Sequence, residues 1–136
     1  DEWFPWRYPG KPRPYQPRGG FHFLDFTDIE NPKEEAVYTI TEAGSHNHWI
    51  QGDTLIAAYY NGGLRIVDIS GDLLGDLYRQ GREIAFYMSS QTDGHIPNST
   101  NVWGAIPYKG LIYFTDMYSG LYCVKLVDKK TDTPSP

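Results

Sequence analysis

A chain of 136 residues has the length of one ordinary domain. A net charge of −5 argues against a nucleic-acid partner, which would need a basic face, and no apolar run approaches the ~20 residues of a membrane span. Eleven Tyr and four Trp favour strands, 14 Gly and 10 Pro demand frequent turns, and the single Cys123 excludes an internal disulfide and leaves the redox compartment open.

The chain opens on Asp1-Glu2 without a signal peptide, as expected of a protein whose leader has been removed. Residues 1–18, "DEWFPWRYPGKPRPYQPR", hold five prolines and five aromatics, a density that blocks helix and central strand alike. One reading is a poorly ordered terminus. The other is an extended arm docked on a neighbouring surface, because Trp3, Phe4, Trp6 and Tyr8 are costly to leave in water, at about 1.5–3 kcal/mol for a large apolar side chain.

From residue 19 to 127 the chain repeats itself. "GGFHFLDFT" (19–27), "GGLRIVDIS" (62–70) and "SGLYCVKLV" (119–127) each open with a turn glycine and run on in strand-forming residues. "NHWIQGDTLIAAYYN" (47–61) and "NVWGAIPYKGLIYFTDMY" (101–118) each begin Asn-x-Trp, pass a turn and enter an apolar run. Self-similarity at about 40–57 residues fits a repeat architecture of four short strands per unit. The middle unit is predicted to hold strands at 46–50, 54–60, 63–69 and about 83–88. The first unit shows strands at 20–27 and 35–40, and the last at 101–106, 111–117 and 120–127. Gln51-Gly52-Asp53 and Asn61-Gly62 supply hairpin turns with residues that tolerate positive φ. "GDLLGDLYRQGR" has room for one helical turn, "SSQTDGHIPNST" is a long loop, and 128–136 is a polar tail.

The fold class is therefore all-β: four-stranded antiparallel β-propeller blades, about two to three of them, in an incomplete ring. A closed propeller has typically four to eight blades. An open stack leaves strand edges unpaired, so other blades, copies of the chain or neighbouring subunits are expected to complete it.

"GGLRIVDIS" resembles the Leu-Val-Ile-Val-Asp (LVIVD) repeat of bacterial and archaeal β-propeller proteins. "HNHWIQGDTLIAAYYNGGLRIVDIS", followed by "NVWGAIPYKGLIYFTDMYSGLYCVKL", is similar to the closing blades of such proteins. The resemblance spans about residues 19–127 and is most specific over 44–70. It implies a secreted, periplasmic or cell-surface propeller and, since most members have no assigned activity, it implies architecture rather than chemistry. The first copy departs from the pattern at Phe21-His22. The third has Lys125 in place of the aspartates at Asp25 and Asp68, so the Asp is not a repeated ligand.

Each candidate site has a structural counterpart. On a strand, residues i and i+2 share a face, so His46 and His48 could reach one metal ion. No third ligand is near in sequence, and the matching positions in the last unit are Thr100 and Val102. The alternative is a pair of packed, hydrogen-bonded histidines near the propeller axis. Asn47 and Asn101, and Trp49 and Trp103, recur as packing and strand-edge residues, while Gly63 and Gly120 recur as turn glycines. Asp25 and Asp68 are expected to bond turn amides. Cys123, mid-strand among apolar neighbours, reads as an inert buried thiol. Phosphate loops, nucleophile elbows and EF-hand spacing are all missing from the sequence. Two function classes remain: a non-catalytic scaffold module in an extracytoplasmic assembly, without cofactor, or a metal-dependent or small-molecule propeller enzyme using His46 and His48.

Overall fold

Ten strands make up the computed structural model of the chain, which describes residues 19–127. The arm residues Trp3, Phe4, Trp6 and Tyr8 and the tail 128–136 lie outside the described residues. In order, the strands are β1 (Gly20–Asp25), β2 (Lys33–Thr39), β3 (His48–Gln51), β4 (Thr54–Tyr59), β5 (Gly63–Asp68), β6 (Gly75–Asp76), β7 (Glu83–Tyr87), β8 (Val102–Tyr108), β9 (Leu111–Asp116) and β10 (Gly120–Val124). They form three blade-like sheets, with strand orders β1-β2-β6, β3-β4-β5-β7 and β8-β9-β10. No helix occurs among the described residues. The segment with room for a helical turn instead carries Gly71, Gly75 and Gly81 in left-handed conformations, and it lays β6 parallel to β2 at Ala36 and Val37. Three such glycines in eleven residues interrupt any helical turn.

The third-strand motif keeps its place in every blade. Tyr59 pairs with Gly63 and Asp116 with Gly120, so β5 and β10 follow their hairpins in the same register. β1 pairs with β2 as β5 pairs with β7. Phe21, His22 and Phe23 oppose Tyr38, Val37 and Ala36, while Leu64, Arg65 and Ile66 oppose Tyr87, Phe86 and Ala85. Even the bulge recurs, at Glu35 in one ladder and Ile84 in the other.

The first strands do not keep theirs. His48 opposes Ala57, and Ala105 opposes Phe114, the residue equivalent to Ala57. The Asn-x-Trp stretches are thus out of step: Trp49 corresponds in space to Ile106, not to Trp103. The cause is length, since β8 runs seven residues and β3 only four before their hairpin turns. Trp103 also occupies a bulge between Val102 and Gly104.

The core lies in two layers on either side of β4. Leu55, Ala57 and Tyr59 pack with Ala36, Tyr38, Val67 and Leu77 towards the first blade. Ile56 and Ala58 pack with Leu64, Ile66, Ala105, Ile112 and Phe114 towards the last. This two-sided burial explains why β4 reads as a continuous apolar run rather than an alternation. Between β4 and β5 the left-handed residues are Tyr60 (φ 23°) and Gly63 (φ 80°) rather than Asn61 and Gly62. Gly62 is required by crowding instead, as a Cβ there would lie 3.0 Å from the Tyr59 carbonyl and 3.1 Å from Ala43 Cβ.

Candidate functional site

His46 and His48 belong to different contacts. The strand begins at His48 rather than at residue 46, so the alternation that would put both rings on one face does not extend to His46. His46 packs on Tyr60 and Trp103, with ring centroids 5.0 and 5.1 Å away. Its Nδ1 lies 2.5 Å from the Trp103 carbonyl oxygen. A carbonyl only accepts, so Nδ1 carries the donated proton. His48 instead meets Phe21 of the first blade edge-on at 5.0 Å. The two imidazoles thus engage different sheets, and among the described residues no three His, Cys, Asp or Glu side chains form a group suited to a metal ion. What His46 does hold is the seam between the middle and last blades. There the Tyr60 carbonyl accepts from the Val102 amide at 2.9 Å, and the Trp103 carbonyl accepts from the Asn47 amide at 3.3 Å.

The repeated Asn and Trp residues have separate tasks. Asn101 Oδ1 accepts from Trp103 Nε1 at 2.9 Å, which anchors the indole beside His46. The Asn47 carbonyl accepts from the Ala58 amide, and Trp49 remains 48% exposed. Asp25 and Asp68 do cap turns: the Thr27 amide donates to Asp25 Oδ1 and the Ser70 amide to Asp68 Oδ1, each at 2.8 Å. The hydroxyls of Thr27 and Ser70, then their amides, hold these carboxyls below the usual range.

Two polar centres went unmarked in the sequence. Asp116, 3% exposed, ends β9 where the middle blade has Tyr59. Its Oδ2 accepts from Ser89 Oγ at 2.5 Å and from the Asn101 amide at 2.7 Å, and its Oδ1 from the amides of Tyr118 and Ser119. Burial alone would raise its pKa. The hydrogen bonds from Ser89, Asn101, Tyr118 and Ser119 outweigh burial and leave it below the ordinary 3.8. A depressed folded-state pKa contributes stability above the unfolded value and loses it as pH falls through the folded one. Asp116→Asn is therefore expected to lower stability by about 1.5–3 kcal/mol at neutral pH, with the gap to the parent narrowing below about pH 4. Thermal midpoints between pH 7 and pH 2.5 check this, and a pH-independent gap would contradict it.

The second centre joins the first and middle blades. Arg65 Nη1 lies 3.1 Å from Glu83 Oε2, its Nε donates to the Gly62 carbonyl at 2.7 Å, and its guanidinium lies 4.8 Å from the centroid of the Phe86 ring. The Tyr38 hydroxyl donates to the same Glu83 carboxylate. Burial, and then that carboxylate, hold the Tyr38 hydroxyl protonated far above its ordinary range. The signal available in the sequence was the pair of Glu-x-Ala-apolar-Tyr stretches at 34–38 and 83–87. In the first blade Glu34 Oε2 meets His22 Nδ1 at 2.5 Å, so an acid on the fourth strand meets a nitrogen-bearing side chain on the third in both.

The expectation of a buried thiol is overturned. Cys123 is exposed, because it pairs with Tyr113 on the face of the last blade that points away from the middle one. Its adjacent apolar neighbours Tyr122 and Val124 point the other way and pack on the layer facing the middle blade, while Leu121 shares the free face. A hydrogen bond with Cys123 raises the Tyr113 pKa. No helix among the described residues is long and apolar enough to cross a membrane. No protein-family model, curated protein or solved structure matches the chain.

Proposed function

We propose that this chain is a non-catalytic scaffold: a partial β-propeller of the LVIVD-repeat kind that holds other polypeptides in an extracytoplasmic or cell-surface assembly. One observation carries the reading. On the free face of the last blade, Tyr113, Thr115, Leu121 and Cys123 occupy the positions held in the middle blade by Ile56, Ala58, Leu64 and Ile66. Those four middle-blade residues are all buried against the last blade. Their counterparts face outward, with Leu121 71% exposed and the neighbouring Ile106 and Tyr108 at 54% and 57%. A face patterned to receive a blade, yet uncovered among the described residues, is an interface in waiting. Further blades, a second copy or a neighbouring subunit are the partners of this kind. The apolar side chains of Trp3, Phe4, Trp6 and Tyr8, outside the described residues, belong to the same proposal as groups that gain from meeting that neighbour. The location outside the cytoplasm is supported by the resemblance of residues 44–70.

Sedimentation of the 136-residue chain over a range of concentrations tests this. Association that rises with concentration is expected, and deletion of 1–18 should weaken it without changing the β-sheet circular dichroism. A compact, cooperatively folding monomer at every concentration would refute the scaffold reading.

A further inference from the structure

The outer edges of the three blades differ in one respect. The first two carry a fourth strand built on one plan, Glu34-Glu35-Ala36-Val37-Tyr38 in β2 and Glu83-Ile84-Ala85-Phe86-Tyr87 in β7. In both, Ala opposes the third residue of the third-strand core (Phe23 or Ile66), and Tyr opposes the first (Phe21 or Leu64). β10, the third strand of the last blade, is paired among the described residues only with β9.

The glycines that open the third strands report the same difference. A Cβ on Gly20 would run into the Thr39 side chain and stand 3.1 Å from the Tyr38 carbonyl. A Cβ on Gly63 would run into the Tyr87 carbonyl and stand 2.9 Å from Met88 Sδ. Both obstacles belong to the fourth strand or the residue next to it. At Gly120 the same Cβ would meet nothing within 4 Å. The position that the fourth strand crowds in two blades is open in the third.

We propose that the β10 edge is a docking site for a fourth strand supplied from outside these 136 residues, an extended segment with Ala, an apolar residue and Tyr in succession. It runs antiparallel to β10, with Ala opposite Cys123 and Tyr opposite Leu121. The stretches of this kind among the described residues, Ala36-Val37-Tyr38, Ala57-Ala58-Tyr59 and Ala85-Phe86-Tyr87, are already engaged in their own sheets, and neither 1–18 nor 128–136 contains another. Main-chain hydrogen bonds along the open edge supply the affinity. The small residue is set by what happens at Ala36 and Ala85: the first is buried in the core layer facing the middle blade, and the second packs against the layer facing the last. No acid is demanded of the incoming strand. Where the other blades place His22 and Arg65, the last has Tyr122, whose hydroxyl donates to the Ser89 carbonyl at 2.8 Å.

The inference rests on the reading of the chain as blades of an incomplete propeller, and its test separates the two. A synthetic peptide with the sequence of residues 82–88, Arg-Glu-Ile-Ala-Phe-Tyr-Met, is added to the full chain while amide hydrogen exchange and Cys123 alkylation are followed. The β10 amides should exchange at least about tenfold more slowly, alkylation should slow, and β5 should be unaffected. A peptide with Pro in place of both Ala and Phe, consecutive residues of which one must offer its amide to β10, should do neither. Equal β10 exchange with and without the first peptide would overturn the proposal. So would β10 protection in the dilute chain alone, or equal protection by both peptides. If sedimentation shows a monomer that the peptide still protects, the scaffold reading fails and this inference stands. An assembly with no peptide effect gives the reverse.

Discussion

Gly63→Val should cost the protein about 4 kcal/mol, a large share of the stability of an ordinary domain. Two effects add. Gly63 has φ of 80°, where a β-branched side chain is strained by about 1–3 kcal/mol. Its new Cβ would also collide with the Tyr87 carbonyl, a backbone atom held in the β5–β7 ladder, so relief requires the outer strand to move. Gly120→Val separates the two terms, since φ is 99° there but nothing lies within 4 Å of the added atom. Its cost should fall to the strain alone, about 1–3 kcal/mol. His48→Ala removes one exposed ring stacked edge-on against Phe21 and should cost about 1 kcal/mol or less. Thermal or urea midpoints should rank Gly63→Val lowest, then Gly120→Val, then His48→Ala. A Gly63→Val midpoint equal to the parent's would remove the basis for placing β7 on β5.

The third strands were legible because one residue type there answers to backbone geometry and the next five to burial. "GGLRIVDIS" combines a turn glycine, a strand run and a capping Asp, and each signal is local. The strands 54–60 and 111–117 were equally plain, as their apolar runs are buried between layers or paired in mid-sheet. The Asn-x-Trp stretches misled because identity of letters says nothing of distance to the next turn. Three extra residues ahead of Lys109-Gly110 carry Trp103 out of step with Trp49, and a bulge absorbs part of the difference. His46 escaped for a related reason: strand alternation predicts a shared face only inside a strand, and β3 starts two residues later. Cys123 was misplaced because apolar neighbours imply burial only when a second layer covers them. Asp116 was invisible for a different cause. Its four donors come from residues 89, 101, 118 and 119, three separate stretches that meet only after the last blade is formed.

Glu83→Ala should destabilise the chain by about 3 kcal/mol, the low end of what halving a buried ion pair costs. Glu83 is the shared acceptor for Arg65 and Tyr38, and the Arg65 and Glu83 side chains are only 11% and 15% exposed. Its removal strands a guanidinium and a phenol between two sheets. The loss stays at the low end because Arg65 keeps the Gly62 carbonyl and the Phe86 ring. Two companion variants decide whether charge or packing is responsible. Glu83→Gln retains an acceptor for the Tyr38 hydroxyl and should lose less than Glu83→Ala. Arg65→Met combined with Glu83→Ala should be no worse than Glu83→Ala alone, since the unpaired cation is gone and the Met stem still covers the space. Urea unfolding of the parent, Arg65→Met, Glu83→Ala and the double variant closes the cycle. Strictly additive losses, or a Glu83→Ala variant within about 0.5 kcal/mol of the parent, would show that the Tyr38–Glu83–Arg65 contact does not tie the first blade to the second.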